Sequence, residues 1–269
     1  MKDQFDNYLT FAQKLSEKAG KIILKGRKDF SIKVRKGQLH DFATNIDLSV
    51  EKLIISSIKK KYPGHGILSE EAGEIKSNSP FRWVIDPLDG TWVYSVGLPL
   101  FANIIALEYK RETIMAIFSF PQTQEQFWGL KGKGVFLNGK KITVNKTDDL
   151  KASFIFSNYP SFKTPEDRLK SKLALSEILI QETYRFYPSH SSSMDLCRVA
   201  QGAFEGSVII DTSGKWWDLV AGIFFIKEAG GKVTTFDNKD ATYNNYRRGF
   251  VASNGKIHDK LLSITNSVY

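Results

Sequence analysis

The chain has 269 residues, of which 42% are hydrophobic, 13% aromatic and 25% charged, a mix that excludes disordered, collagenous and coiled-coil proteins. Its 38 Lys and Arg against 29 Asp and Glu leave a net charge of +9, a field that attracts phosphates, nucleic acid or anionic membrane without choosing among them. A single cysteine excludes an internal disulfide, and apolar stretches such as Leu219 to Ile226 stop far short of the roughly 20 residues that span a bilayer, so a cytoplasmic protein with no membrane segment is expected.

The chain opens on a helix. From Phe5 to Ile23 the residues Leu9, Ala12, Leu15, Ala19, Ile22 and Ile23 recur at helical spacing. A second helix carries Ile46, Val50, Leu53, Ile54 and Ile58 on one face; Thr44 to Asp47 resembles a capping box at its start, and Pro63-Gly64 ends it. The basic connector between them, Ser31 to His40, reads as an exposed loop. Strands are expected at Ile67 to Ser69, Arg82 to Ile85, Ala102 to Tyr109, Thr113 to Phe120 and Glu125 to Leu130, with Asn138-Gly139 a hairpin turn. Beyond Leu150 come a strand at Phe154 to Ser157, a helix at Glu166 to Leu179, a strand near Tyr184, a helix from about Ser192 to Ala200, and then strand, helix, strand. The helix at Lys215 to Ala229 is apolar nearly all round and so should be buried. With no repeat or linker, one domain over residues 1–269 is expected, with halves of about 1–147 and 148–269 as the alternative division, in an α+β or layered α/β fold.

The chemistry-bearing residues are acids. In Trp83-Val84-Ile85-Asp86-Pro87-Leu88-Asp89-Gly90-Thr91 an apolar strand delivers Asp86, Pro87 stops regular pairing, and Asp89 returns at the turn. A helix opening at Gly90 would place free N–H groups beside the two carboxylates. Carboxylates for Mg²⁺ next to a phosphate cradle are what metal-assisted phosphoryl transfer requires. The competing reading is turn chemistry alone, since Asp is favoured in turns. Two further acidic segments add weight: Leu68-Ser69-Glu70-Glu71 at a strand end, and Trp216-Trp217-Asp218 in the first turn of the apolar helix. Each has a plain structural alternative, a solvated strand end for Glu70 and a helix-dipole charge for Asp218.

The runs DFATNIDLSVEKLI, ILSEE, WVIDPLDGT and WWDLVAGIFFIKEAGG, in this order, resemble the inositol monophosphatase family of Mg²⁺-dependent, lithium-sensitive phosphatases, and the likeness extends over almost the whole chain. The resemblance implies a layered α-β-α-β-α sugar-phosphatase fold, a homodimer, and two or three Mg²⁺ per active site. It assigns Glu70, Asp86 and the Leu88 carbonyl to one metal, and Asp86, Asp89 and Asp218 to a second. It matches Asp47 and Lys36, on its mobile loop, to a weaker third site and its water network. Glu70, Thr91 and Asp47 would be catalytic, orienting a water for in-line attack without a phosphoenzyme, while Gly90 and Thr91 amides hold phosphate oxygens.

The alcohol half of the substrate would meet Ser191, Ser192 and Asp211, where many inositol phosphatases carry a glycine and a Glu. Those serines also read as an N-cap, with Asp195 completing a box three residues after Ser192. The implied substrate is a small phosphate monoester, an inositol monophosphate or a related sugar phosphate. The run Gly97 to Phe101 also looks like histidinol-phosphate phosphatases, and fructose 1,6-bisphosphate, NADP and 3′-phosphoadenosine phosphates are further alternatives in the superfamily. Trp92 and Tyr94 read as core aromatics, the alternative being a base-stacking platform. Two features carry no chemistry: the G-x-x-x-x-G-K-K run from Gly134 to Lys141 lacks the Ser/Thr of a nucleotide loop, and Cys197 reads as a small buried hydrophobe. Nucleic acid is not expected as a partner; a non-catalytic RNA- or protein-binding scaffold is the alternative of another class.

Overall fold

Residues 2–34, 42–160, 164–189, 191–212 and 214–269 are described by a computed structural model. Two compact units result, Met1–Lys140 with Trp216–Ala221, and Lys141–Lys215 with Gly222–Tyr269. The first boundary lies at 140/141, against about 147 from the sequence, and a short stretch from late in the chain joins the first unit.

In the first unit, α1 (Lys2–Gly26) and α2 (Asn45–Lys61) form where the apolar spacing demands. Thr44 caps α2, its hydroxyl accepting from Ile46 N at 3.1 Å and Asp47 N at 3.4 Å while Asp47 Oδ2 accepts from Thr44 N at 2.7 Å, so the capping box is complete. The connector expected as a loop carries a strand near its start: β1 (Ile32–Val34) pairs antiparallel with β2 (Phe42–Thr44), and strands of three residues are too short for an alternation to show in the sequence. Lys36 lies outside the described residues.

The main sheet is built from β3 (Gly66–Ser69), β4 (Gly73–Ile75), β5 (Phe81–Asp89), β6 (Ala102–Tyr109), β7 (Glu112–Phe120), β8 (Glu125–Leu130), β9 (Gly134–Leu137) and β10 (Lys140–Ile142), in the order β10-β9-β8-β7-β6-β5-β3-β4. Only β3 and β5 run parallel among its registered pairs. Asn138 at φ +48° and Gly139 at +80° make the two-residue β9–β10 turn, which disposes of the nucleotide-loop resemblance. Ala12, Leu15 and Ile23 of α1 and Val50, Ile54 and Ile58 of α2 bury against Ile67, Trp83, Ile85, Ile105 and Leu107 of the sheet. A short α3 (Thr91–Ser95) follows β5.

The second unit centres on a mixed sheet, β12-β11-β13-β15-β14, made of β11 (Phe154–Asn158), β12 (Arg185–Ser189), β13 (Gly206–Ile210), β14 (Lys232–Thr234) and β15 (Gly249–Ser253). Its helices are α4 (Glu166–Glu182), α5 (Ser192–Ala200), most of α6 (Trp216–Glu228) and α7 (His258–Val268). Leu175 and Leu179 of α4 and Leu261 and Leu262 of α7 pack with Ile155, Val208, Ile210 and Val251. Both units thus set helices on a mixed sheet, the α+β class expected. No helix among the described residues is long and apolar enough to cross a membrane, and Cys197 is buried in α5.

Candidate active site

β5 does not end where expected. Pro87 interrupts regular pairing as expected, and the strand then resumes at Asp89: Asp86 lies opposite Ile104 and Asp89 opposite Ala102, three steps against two. One extra residue is therefore accommodated as a bulge, and Pro87, which has no N–H to donate, sits inside it. Asp86 Oδ1 accepts from Leu88 N at 3.0 Å across the bulge. The two aspartates leave a bulged strand end rather than a simple turn. Gly90 follows at φ +81°, and a Cβ there would stand 2.8 Å from both Leu100 O and Val93 Cγ2, so the step from strand to α3 needs glycine.

Glu70 reaches the same place by parallel pairing. Ser69 lies opposite Ile85, and Glu70 N donates to Ile85 O at 3.2 Å, which sets Glu70 beside the residue that precedes Asp86. Asp47 comes from the first turn of α2. Its Oδ1 accepts from the Thr91 hydroxyl at 2.9 Å, and Thr91 Oγ1 is also 3.0 Å from the Leu88 carbonyl. Thr91 therefore joins the α2 cap to the β5 bulge. Asp218 arrives on the first turn of α6, inside the stretch that belongs to the first unit.

Electrostatics shows these acids acting on one another. Asp86 is 1% exposed, and burial first, then the charges of Glu70, Asp89, Asp218 and Asp47, push its carboxyl well above the ordinary carboxylate range. Burial also raises Asp47, against hydrogen bonds from Thr44 and Thr91 that favour its charged form. Among the described residues no group of three or more His, Cys, Asp or Glu side chains stands ready to hold a metal ion. The donor chemistry nevertheless fits one: a buried carboxylate pressed by four others, next to a backbone carbonyl, is a set of hard oxygens whose mutual repulsion a divalent cation would relieve.

The remaining expected residues lie in the second unit. Ser191, not Ser192, is the N-cap of α5: its hydroxyl accepts from Met194 N at 3.4 Å and lies 2.7 Å from Ser193 Oγ. The box expected between Ser192 and Asp195 does not form: the helix already starts at Ser192, and with Ser191 as N-cap the third helical residue is Met194, whose side chain cannot accept from the cap backbone. Asp211, at φ +46°, accepts from Tyr269 OH at 2.8 Å and pairs with Arg168 Nε at 3.3 Å. Tyr94 is core, donating to Ile23 O at 2.9 Å, but Trp92 is 52% exposed, a correction to its expected burial: a five-residue helix cannot turn both rings inward.

Glu51 and Glu108 are among the buried acids that the sequence reading missed. Glu51 lies one turn after Asp47 on α2 and is 6% exposed. Glu108 in β6 accepts from Arg82 Nε at 2.7 Å and from Trp216 Nε1 at 2.7 Å. An acid beside Val50, Leu53 and Ile54, and one that ends the apolar run Ile104 to Leu107, were the available signals.

Oxygen donors gathered at a bulged strand end of an α+β fold define a candidate site for hard divalent cations. The chain belongs to the inositol monophosphatase family, whose sequence profile matches residues 4–268. It is 35% identical over 232 residues to a protein named Nus factor SuhB of Haemophilus influenzae, covering 85% of each chain. It is 32% identical over 267 residues to a fructose-1,6-bisphosphatase/inositol-1-monophosphatase of Aquifex aeolicus, covering 97% of this chain and 96% of that one. Its fold matches the solved structure of a Thermotoga maritima IMPase with a TM-score of 0.85 at 28% identity, covering 97% of this chain and 98% of that one.

Proposed function

We propose that this protein is a Mg²⁺-dependent phosphomonoesterase that hydrolyses a small phosphorylated alcohol, an inositol monophosphate or a related sugar phosphate. The observation that carries the reading is the buried Asp86, on which Glu70, Asp89, Asp218 and Asp47 all bear. Glu70, Asp86 and the Leu88 carbonyl would hold one Mg²⁺, and Asp86, Asp89 and Asp218 a second, with Asp47 and Lys36 associated with a weaker third site and its water network. Bound there, the cations would neutralise charge on the phosphoryl oxygens and acidify a water.

The protein's own groups supply orientation. Thr91 donates its proton to Asp47, so its oxygen lone pairs are left to accept from a water that Glu70 also engages. That water attacks phosphorus in line and gives up a proton as the new P–O bond forms; the ester P–O bond breaks, and its oxygen takes up a proton from solvent water to leave as the alcohol. The amides of Gly90 and Thr91 bind the phosphate oxygens. The Aquifex relative's name favours fructose 1,6-bisphosphate as the first alternative substrate. Lithium inhibition and a homodimer belong to the same proposal.

The test is phosphate release from a panel of inositol, sugar, histidinol and nucleotide monoesters with Mg²⁺ and with EDTA. Turnover should require Mg²⁺, and Asp89→Asn should abolish it while leaving the circular dichroism spectrum unchanged. Undiminished turnover in Asp89→Asn would remove the assignment.

A second reading rests on the relatives named Nus factor SuhB. It makes the protein a partner in an assembly, beside or in place of turnover. The expectation that set nucleic acid aside finds no support in those relatives.

A further inference from the structure

Glu51 is a buried acid whose contacts converge on one turn. Its Oε1 accepts from the Ser69 hydroxyl, from Glu71 N at 3.0 Å and from Ala72 N at 3.0 Å. These donors stand on both sides of Glu70. Glu70 itself donates its N–H to Ile85 O, so the backbone at this point is tied to β5 on one side and to α2 on the other. An anionic oxygen that accepts several hydrogen bonds holds them more strongly than a neutral one would, and removing it strands buried donors. Asp47 and Glu51 are four residues apart on α2, so the one helix face presents Asp47 toward Thr91 and Glu51 toward the turn after β3.

We propose that Glu51 is a positioning residue: it fixes the turn of residues 69–72 and thereby aims the Glu70 carboxylate into the cation site. The inference rests on the reading of Glu70 as a metal ligand given above. Glu51 touches neither substrate nor cation; its effect passes through the backbone on either side of Glu70.

The experiment measures Mn²⁺ affinity by titration calorimetry, with phosphate release from the monoester panel alongside, for the wild type, Glu51→Ala, Glu51→Gln, Glu51→Asp, Glu70→Ala and the Glu51→Ala/Glu70→Ala double variant. Groups that orient metal ligands typically contribute a factor of roughly 10 to 100 in affinity, and Glu51→Ala should bind Mn²⁺ more weakly by that factor. Glu51→Gln, whose amide oxygen accepts the same donors, should recover most of the loss. In the Glu70→Ala background, Glu51→Ala should change nothing further, because the residue it positions is gone. If Glu51→Ala does not fold, Glu51→Asp decides: with its oxygen drawn back by one methylene, it should lose affinity while Gln does not. A folded Glu51→Ala with wild-type affinity, or an equal loss with and without Glu70, would overturn the inference. Wild-type protein that neither binds Mn²⁺ nor releases phosphate would instead defeat the proposed function, and this inference with it.

Discussion

His258 is 1% exposed in the second unit, with Thr234 Oγ1 at 2.8 Å from Nε2 and Ser253 Oγ at 2.9 Å from Nδ1. Two hydroxyls can serve either ring nitrogen, so the neutral imidazole is satisfied there. Burial first and Lys232 second lower its pKa to about 4, against the opposing charge of Asp259. The unfolded chain, with an ordinary imidazole near 6.5, therefore binds more protons than the folded one between those values. Stability from this residue is fully present above about pH 6.5 and falls as the pH drops toward 4. Thermal unfolding followed from neutral pH into that window should show a declining midpoint, with a shallower decline in His258→Gln. Equal slopes in the two proteins would show that His258 does not contribute. At the same scale, Asp86 differs from His258 in kind: what surrounds it is like charge rather than hydrogen-bond partners that satisfy its neutral form.

Elements bring the acids together, and some are held by contacts that only an assembled sheet supplies. The first turn of α6 carries Asp218, and Trp216 in that turn donates its indole N–H to Glu108 of β6. Glu108 is raised by burial, opposed by the Arg82 guanidinium and the Trp216 N–H. Trp216→Phe removes that donor and leaves a buried oxygen short of a partner, which should destabilise the protein by about 1–3 kcal/mol. Urea unfolding measures it, and an unchanged midpoint would mean the contact adds nothing net. The β5 bulge works differently. Proline in a strand normally marks an edge or an end, and here the bulge lets β5 continue to Asp89 despite it. Local signals such as the Thr44–Asp47 box and the Asn138-Gly139 turn were legible because each element's donors and acceptors lie within a few residues. β4, β15 and α7 were not: the strands are of three and five residues, and their partners, β3 for β4 and β13 and β14 for β15, are chosen by pairing rather than by propensity.

For the whole molecule, the net charge of +9 bears on the two functional readings. A general basic field gives RNA binding that depends on counterion release, and its affinity should fall by at least about tenfold between roughly 50 and 200 mM salt. Fluorescence anisotropy with a structured and an unstructured RNA checks this. Binding that persists at the higher salt and prefers one RNA would favour the assembly role over bare electrostatics. By itself, the amino-acid order determined the helices with strong apolar periodicity, the acids Glu70, Asp86, Asp89 and Asp218, and membership of a family, because patterning, turn chemistry and motif order are properties of neighbours along the chain. Only the tertiary structure decided that Asp86 is buried and feels the charge of four other carboxylates, that Glu51 holds the turn around Glu70, and that Trp216 anchors the helix bearing Asp218. Those relations join residues up to 132 positions apart, from Asp86 to Asp218. Burial and like-charge repulsion do not exist for them until the chain has closed.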